Sequence, residues 1–126
     1  MRDFRDPTGV HQPAASYSHQ VELRDVRVVM LSGQIGMTSD NVLPIDQYEQ
    51  LDVAFDNVRR NLRLADMDVS DIVKMKIYIV GDWDPSSRRA AIAAFLGEHR
   101  PTMTVVGAAA LGAPEMLVEV EVTAAQ

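Results

Sequence analysis

There is no cysteine in this chain, which excludes a disulfide framework, a thiol nucleophile and any thiolate-held metal. No apolar run approaches the roughly 20 residues that a membrane-spanning helix needs, so no membrane partner is expected. Basic residues are outnumbered, 12 Lys and Arg against 18 Asp and Glu, for a formal net charge of −6. Nucleic-acid binding rests on clustered Lys and Arg that neutralise phosphates, and the longest groupings here are Arg59-Arg60 with Arg63, and Arg88-Arg89. The first falls on a predicted helix beside Asp52, Asp56 and Asp66, the pattern of a solvated face. A nucleic-acid partner is therefore not expected. The three histidines, His11, His19 and His99, include no pair at metal-ligand spacing, and no Gly-x-Ser-x-Gly elbow is present. Neither a metal site nor serine-type acylation has support. The N-terminus, Met1 to Pro7, alternates in charge and lacks the apolar core of a secretory signal, so a cytoplasmic location is the default expectation.

What is present fits one domain. A chain of 126 residues is long enough to bury roughly two-thirds of the surface its unfolded form exposes, and a single domain over residues 1–126 is expected. Tyr17–Leu23 and Val26–Leu31, separated by Arg24-Asp25, read as a hairpin. The second segment runs into Ser32-Gly33-Gln34-Ile35-Gly36, where glycine lets another group approach the backbone closely; a short strand is expected at Ile35–Met37. Asp46 followed by Glu49 resembles a capping box. From there to Ala65 the residues Leu51, Phe55, Val58, Leu62 and Ala65 recur at helical spacing.

Ile72–Val80 alternates like a strand with one wholly apolar face. Asp84-Pro85 then caps and starts a second helix, with Ile92, Phe95 and Leu96 as its core face and Gly97 as its stop. The last quarter, Pro101–Ala108 and Leu117–Val122, reads as two strands joined by a Gly/Pro turn. Together these elements give an α+β domain, a two-layer sandwich with two helices on one face of a mixed β-sheet. The other face should carry Met103, Val105 and Leu117 or their alternating neighbours, which predicts self-association to cover it.

Glu119 and Glu121 stand two apart on the closing strand and so share a face. Either that face is solvated, with the glutamates paired to Lys74, Lys76 or an arginine, or it lines a site. A carboxylate in a partly apolar site suits water activation or proton transfer, with Tyr17 and Ser32 as hydroxyl companions.

Five ordered segments carry a resemblance. Ala15-Ser16-Tyr17-Ser18-His19-Gln20-Val21, Val29-Met30-Leu31-Ser32-Gly33-Gln34-Ile35-Gly36, Ile72-Val73-Lys74, Phe95-Leu96-Gly97-Glu98-His99-Arg100-Pro101 and Leu117-Val118-Glu119-Val120-Glu121 together resemble the Rid family. These are the reactive intermediate deaminases, also called YjgF-type or endoribonuclease L-PSP-like proteins. The resemblance runs over nearly the whole chain. It implies a chorismate-mutase-like fold and a homotrimer whose sheets form a central barrel, with small-molecule ligands in the clefts between subunits. The activity it implies is cofactor-free hydrolysis of enamines and imines to a keto acid and ammonia.

Carried over by position, Tyr17, Ser32 and Gly33 match cleft-lining residues and Glu119 matches the carboxylate that positions or activates water. Pro101-Thr102-Met103-Thr104 departs from the family's Pro-x-Arg-Ser or Pro-x-Arg-Thr. Methionine lacks the charge and donors with which arginine grips a substrate carboxylate, which argues against standard 2-imino-acid deamination. Arg89, or Arg88 beside it, is the candidate replacement charge. A catalytically reduced metabolite-binding or regulatory trimer is the alternative, and RNA cleavage is disfavoured by the acidic balance.

Overall fold

Asp46 starts the longer helix by accepting the backbone N–H groups of Tyr48 and Glu49, both at 3.0 Å, which satisfies two of the donors that a helix start leaves free. The computed structural model describes residues 1–126, and in it this helix, α1, spans Gln47–Leu64. It ends where Asp66 turns left-handed at φ 54°. Leu51, Ala54, Phe55, Val58 and Leu62 are its buried stripe. The second helix, α2, spans Pro85–Leu96, capped by Asp84 and stopped by Gly97 at φ 60°, as the sequence predicts. Phe55 of α1 stacks on Phe95 of α2 with ring centroids 4.0 Å apart, so the helices share one apolar seam. Truncating a residue buried as fully as Leu62 to alanine costs about 2–5 kcal/mol.

Seven strands accompany the helices: β1 (Arg2–Arg5), β2 (Gln20–Leu23), β3 (Val28–Met30), β4 (Gln34–Ile35), β5 (Ile72–Ile79), β6 (Thr102–Gly107) and β7 (Val118–Ala125). The main sheet runs β3-β7-β5-β6, with β4 also on β7. It is mixed, because β6 lies parallel to β5 while β7 is antiparallel to β5, β3 and β4. Val118, Val120, Val122 and Ala124 of β7 and Met75, Ile77 and Ile79 of β5 are buried beneath the helices. The domain is thus the expected two-layer α+β sandwich.

Two expected hairpins do not form. The strand before Arg24-Asp25 pairs instead with the N-terminal β1, Phe4 opposite Val21, an arrangement closed by an Arg5–Glu22 ion pair at 2.6 Å. The strand after it pairs with β7, Val29 opposite Ala124, where Val29 packs on the core. An isolated two-stranded hairpin is marginal in water, and docking on β7 gives β3 a core that a hairpin would not. Likewise β6 and β7 do not pair with each other. The connection between them crosses the end of β5: Ala108 donates to the Ile79 carbonyl at 2.8 Å, and Val80 donates to the Leu117 carbonyl at 3.0 Å. The two strands therefore flank β5.

The uncovered face is more polar than the sequence suggests. Met103 and Val105 turn toward the helices. The residues left on the open side include Lys74, Lys76, Tyr78, Thr104, Glu119, Glu121 and Thr123, by the strand alternation and register. Val28 and Met30, 48% and 78% exposed, are its most exposed apolar residues.

Candidate functional site

The sequence-predicted residues gather at two places. The first is built on β7. Leu31 donates to the Val122 carbonyl at 2.9 Å, the chain then leaves the ladder for Ser32-Gly33, and it rejoins with Ile35 opposite Glu119. Glu119 lies against Gly33 so closely that a Cβ there would sit 2.0 Å from the Glu119 Oε1. Only glycine admits this approach. Ser32 precedes it, its carbonyl accepting the Gln34 side chain at 2.9 Å, while Asn61 of α1 holds that same amide from the other side at 3.2 Å.

Helix α1 fixes the rest of the segment. Asn57 donates to the carbonyls of Ile35 and Met37 at 3.1 and 2.9 Å, and Gly36 rests on the helix backbone at Gln50. The buried Gln50 amide spends all its main capacity: it donates to Pro44 and Glu115 at 2.7 and 2.9 Å and accepts from the Leu117 N–H at 2.9 Å. The start of β7, two residues before Glu119, is thereby tied to α1. A half-buried carboxylate on a backbone held this firmly can position a water or take a proton.

Glu121 is exposed and faces Lys76 across the strand pair. Lys76 holds its proton more tightly than a free lysine, chiefly through the Tyr78 side chain beside it and then the Glu121 charge, and its ammonium lies 5.0 Å from the Tyr78 ring centroid. The solvated description, opposite a lysine, thus fits Glu121, and the glycine-clamped one fits Glu119.

The second place is a cavity of about 150 Å³ between α2, β6 and the N-terminal segment, lined by Ala15, Ser16, Tyr17, Arg88, Arg89, Ile92, Met103 and Val105. Ser18 pins its N-terminal wall to the α2–β6 loop, with its hydroxyl donating to the Arg100 carbonyl at 2.6 Å and its N–H to Pro101 at 3.0 Å. Asp84 sets the other wall: its carboxylate accepts from Ser87 N–H and hydroxyl at 2.9 and 2.7 Å, which starts the helix turn carrying Arg88. Those Ser87 hydrogen bonds hold the Asp84 pKa below the usual carboxylate range. The Arg88 Nε is buried without a hydrogen-bond partner, and neither Arg88 nor Arg89 joins an ion pair. The cavity offers positive charge and two hydroxyls over an apolar floor of Ile92, Met103 and Val105.

One chain does not bring the two places together. Met103 is level with Met75 and Val122, three residues along β7 from Glu119 and two strands away. At ~4.8 Å per strand and ~3.4 Å per residue this is roughly 14 Å, on opposite faces of the sheet. Tyr17, Arg89 and Met103 form one group; Ser32, Gly33 and Glu119 form another. Sequence reasoning passed over Ser16 and over His11, whose Nε2 lies 3.1 Å from the Tyr17 hydroxyl. The two rings meet through an irregular segment, which has no period to read. His99 is structural, its Nε2 donating to the Ile72 carbonyl at 2.6 Å. No three His, Asp or Glu lie close enough together to share a metal ion.

This architecture is shared with solved proteins. The Rid-family protein YyfB from Yersinia pestis superimposes with a TM-score of 0.87 at 26% identity, over 99% of this chain and 98% of that one. Escherichia coli TdcF, solved with bound serine, gives a TM-score of 0.73 at 28% identity, over 97% and 94%. Protein HMF1 of Saccharomyces cerevisiae is 29% identical over 102 residues, 78% of this chain and 75% of its own. The fold class is thus that of the YjgF-type α+β proteins. The family described as endoribonuclease L-PSP matches residues 9–126, and the chain belongs to it, the Rid family.

Proposed function

We propose that this protein is a small-molecule hydrolase of the Rid type, acting on a reactive enamine or imine in clefts between the subunits of a homotrimer. The observation that carries this reading is the Glu119 carboxylate lying on Gly33, a base held at a fixed point beside an open backbone. Hydrolysis of C=N needs a base for the attacking water and a proton for the nitrogen. Glu119 takes the water proton as the water oxygen bonds to carbon. The nitrogen gains a proton as this addition proceeds, and the resulting carbinolamine passes its hydroxyl proton to the nitrogen as the C–N bond breaks, releasing ammonia and leaving a carbonyl product; no cofactor enters the balance.

Two features of the single chain support this self-association. The half-site around Glu119 and the half-site around Tyr17 are too far apart in one chain to share a small ligand, so a complete site needs the Tyr17 half of one copy brought beside the Glu119 half on the open sheet face of another. The apolar Val28 and Met30 on that face would be covered by the same contact. The unpaired guanidiniums of Arg88 and Arg89 support an anionic substrate group, gripped from α2 because Met103 stands at the β6 position where the family resemblance expects arginine. That TdcF was solved with bound serine accords with a small carboxylate as ligand.

The test is ammonia release from enzymatically generated 2-aminoacrylate and other short-lived imines. Acceleration by the purified protein, reduced by about 10²-fold or more in Glu119→Gln, is expected; no acceleration on any imine would sink the hydrolase. Met103 in the cavity wall favours one second reading, a trimer that binds a metabolite without turning it over. Tight metabolite binding with no ammonia release would establish that reading instead.

A further inference from the structure

Hydrolysis of an imine leaves one chemical need unassigned, the proton for nitrogen. Glu119 is committed to the water, and guanidinium does not give up a proton in proteins. We propose that Tyr17 delivers this proton and that His11 replenishes it, so that the two form a relay from solvent into the cavity. The proposal rests on the hydrolase reading above.

The geometry is local and specific. Tyr17 lines the cavity and is half-buried, while its hydroxyl lies 3.1 Å from the Nε2 of the exposed His11. His19 braces the pair: its Nε2–H donates to the His11 carbonyl at 2.7 Å, and its ring meets His11 and Tyr17 edge-on at centroid distances of 4.8 and 5.5 Å. The His19 N–H is held in turn by Asp6 at 2.8 Å. Three rings are thus locked into one cluster with one end in the cavity wall and the other in water.

A phenol alone keeps its proton until about pH 10, which makes it a slow donor at neutrality. Imidazole is the side chain that gains and loses a proton near neutral pH. With His11 protonated, its Nε2–H points at the Tyr17 oxygen and the phenol hydrogen is turned toward the cavity. The Tyr17 O–H bond breaks as the substrate N–H bond forms, the Tyr17 oxygen takes the proton from His11 Nε2, and His11 recovers one from water. The charged and titratable groups facing this pair are His19 and Asp6 on the N-terminal side and Arg88 and Arg89 across the cavity. His11 acts through Tyr17 and is a positioning and relay residue rather than one that touches the substrate.

The experiment compares the pH dependence of kcat for wild type, His11→Gln and Tyr17→Phe on an imine that the wild type hydrolyses. Glutamine keeps a hydrogen bond to Tyr17 but carries no exchangeable proton, so a purely structural role would survive it. The relay predicts that His11→Gln lowers kcat about tenfold or more near neutrality, leaves KM unchanged and removes the fall in activity as the imidazole deprotonates. It also predicts that free imidazole restores turnover to His11→Ala. A His11→Gln enzyme with wild-type kcat and pH profile overturns the relay while leaving the hydrolase intact. Wild-type protein that releases no ammonia from any imine overturns the hydrolase and the relay with it.

Discussion

The two half-sites are made in opposite ways. Around Glu119 everything is backbone and sheet: the carboxylate rides on the central strand β7, a glycine is pressed on it, and side-chain amides from α1 hold the flanking chain. Around Tyr17 the walls are a helix start, an edge strand and an irregular N-terminal segment fastened by Ser18. One half is anionic and rigid, the other cationic and assembled from pieces far apart in sequence. The proposed base is therefore held by the fold itself, while the features that would select a ligand sit where side chains change without disturbing the sheet.

The largest effect is expected from Gly33→Ala. Its Cβ would fall 2.0 Å from a carboxylate oxygen, and the movable partner is the end of a side chain. The fold should survive with the base displaced, so turnover should fall about 10²-fold with little change in Tm, measured by kinetics beside thermal unfolding. Turnover near wild type would mean that Glu119 is not needed where it stands. Next in size, Arg88→Ala should weaken binding of a small carboxylate by roughly 10- to 100-fold, the value of a charge-assisted hydrogen bond. Arg89→Ala should do less, since it is Arg88 whose Nε is buried and unpartnered. Calorimetric titration reads both, and equal losses would remove the distinction.

Gly36→Ala is the counterpart of Gly33→Ala with the opposite signature. There a Cβ would meet the Gln50 backbone at 2.3 Å, and the helix cannot step aside. The expected result is a stability loss of about 1–3 kcal/mol by denaturant titration, with binding at the Tyr17 cavity retained. The smallest effect is at Asp84. Because its folded-state pKa is depressed, the cap stabilises above the unfolded carboxylate pKa, and that contribution is lost as pH falls through the folded value. Asp84→Ala should therefore lower Tm slightly at neutral pH, and the gap to wild type should close in acid.

The helices were legible because their signals are local. Asp46 and Asp84 as caps, Gly97 as a stop and the Leu51–Phe55–Val58–Leu62 stripe act within a few residues. The strand partners were not, because alternation marks a strand without saying what lies beside it. Thus Arg24-Asp25 looked like a turn between partners, yet β2 pairs with β1 and β3 pairs with β7. The strand at Arg2–Arg5, rich in charge, gives no β signal and exists through its pairing with β2. The glutamate pair was visible as a pair, but nothing in a period of two separates Glu119 from Glu121. What separates them in space is Gly33 above one and Lys76 beside the other. The nearness of Arg88, Met103 and Tyr17 depends on the fold joining three distant segments, and the His11 contact on an irregular loop.

The alternation of β7 has a practical consequence for engineering. Its even positions from Val118 to Ala124 are filled by the core, and its odd positions 119, 121 and 123 face away from it. Tolerance to substitution should therefore divide by parity: volume governs the even sites and polarity the odd ones. A combinatorial library confined to the odd positions would vary chemistry and assembly on a scaffold whose folding it leaves alone.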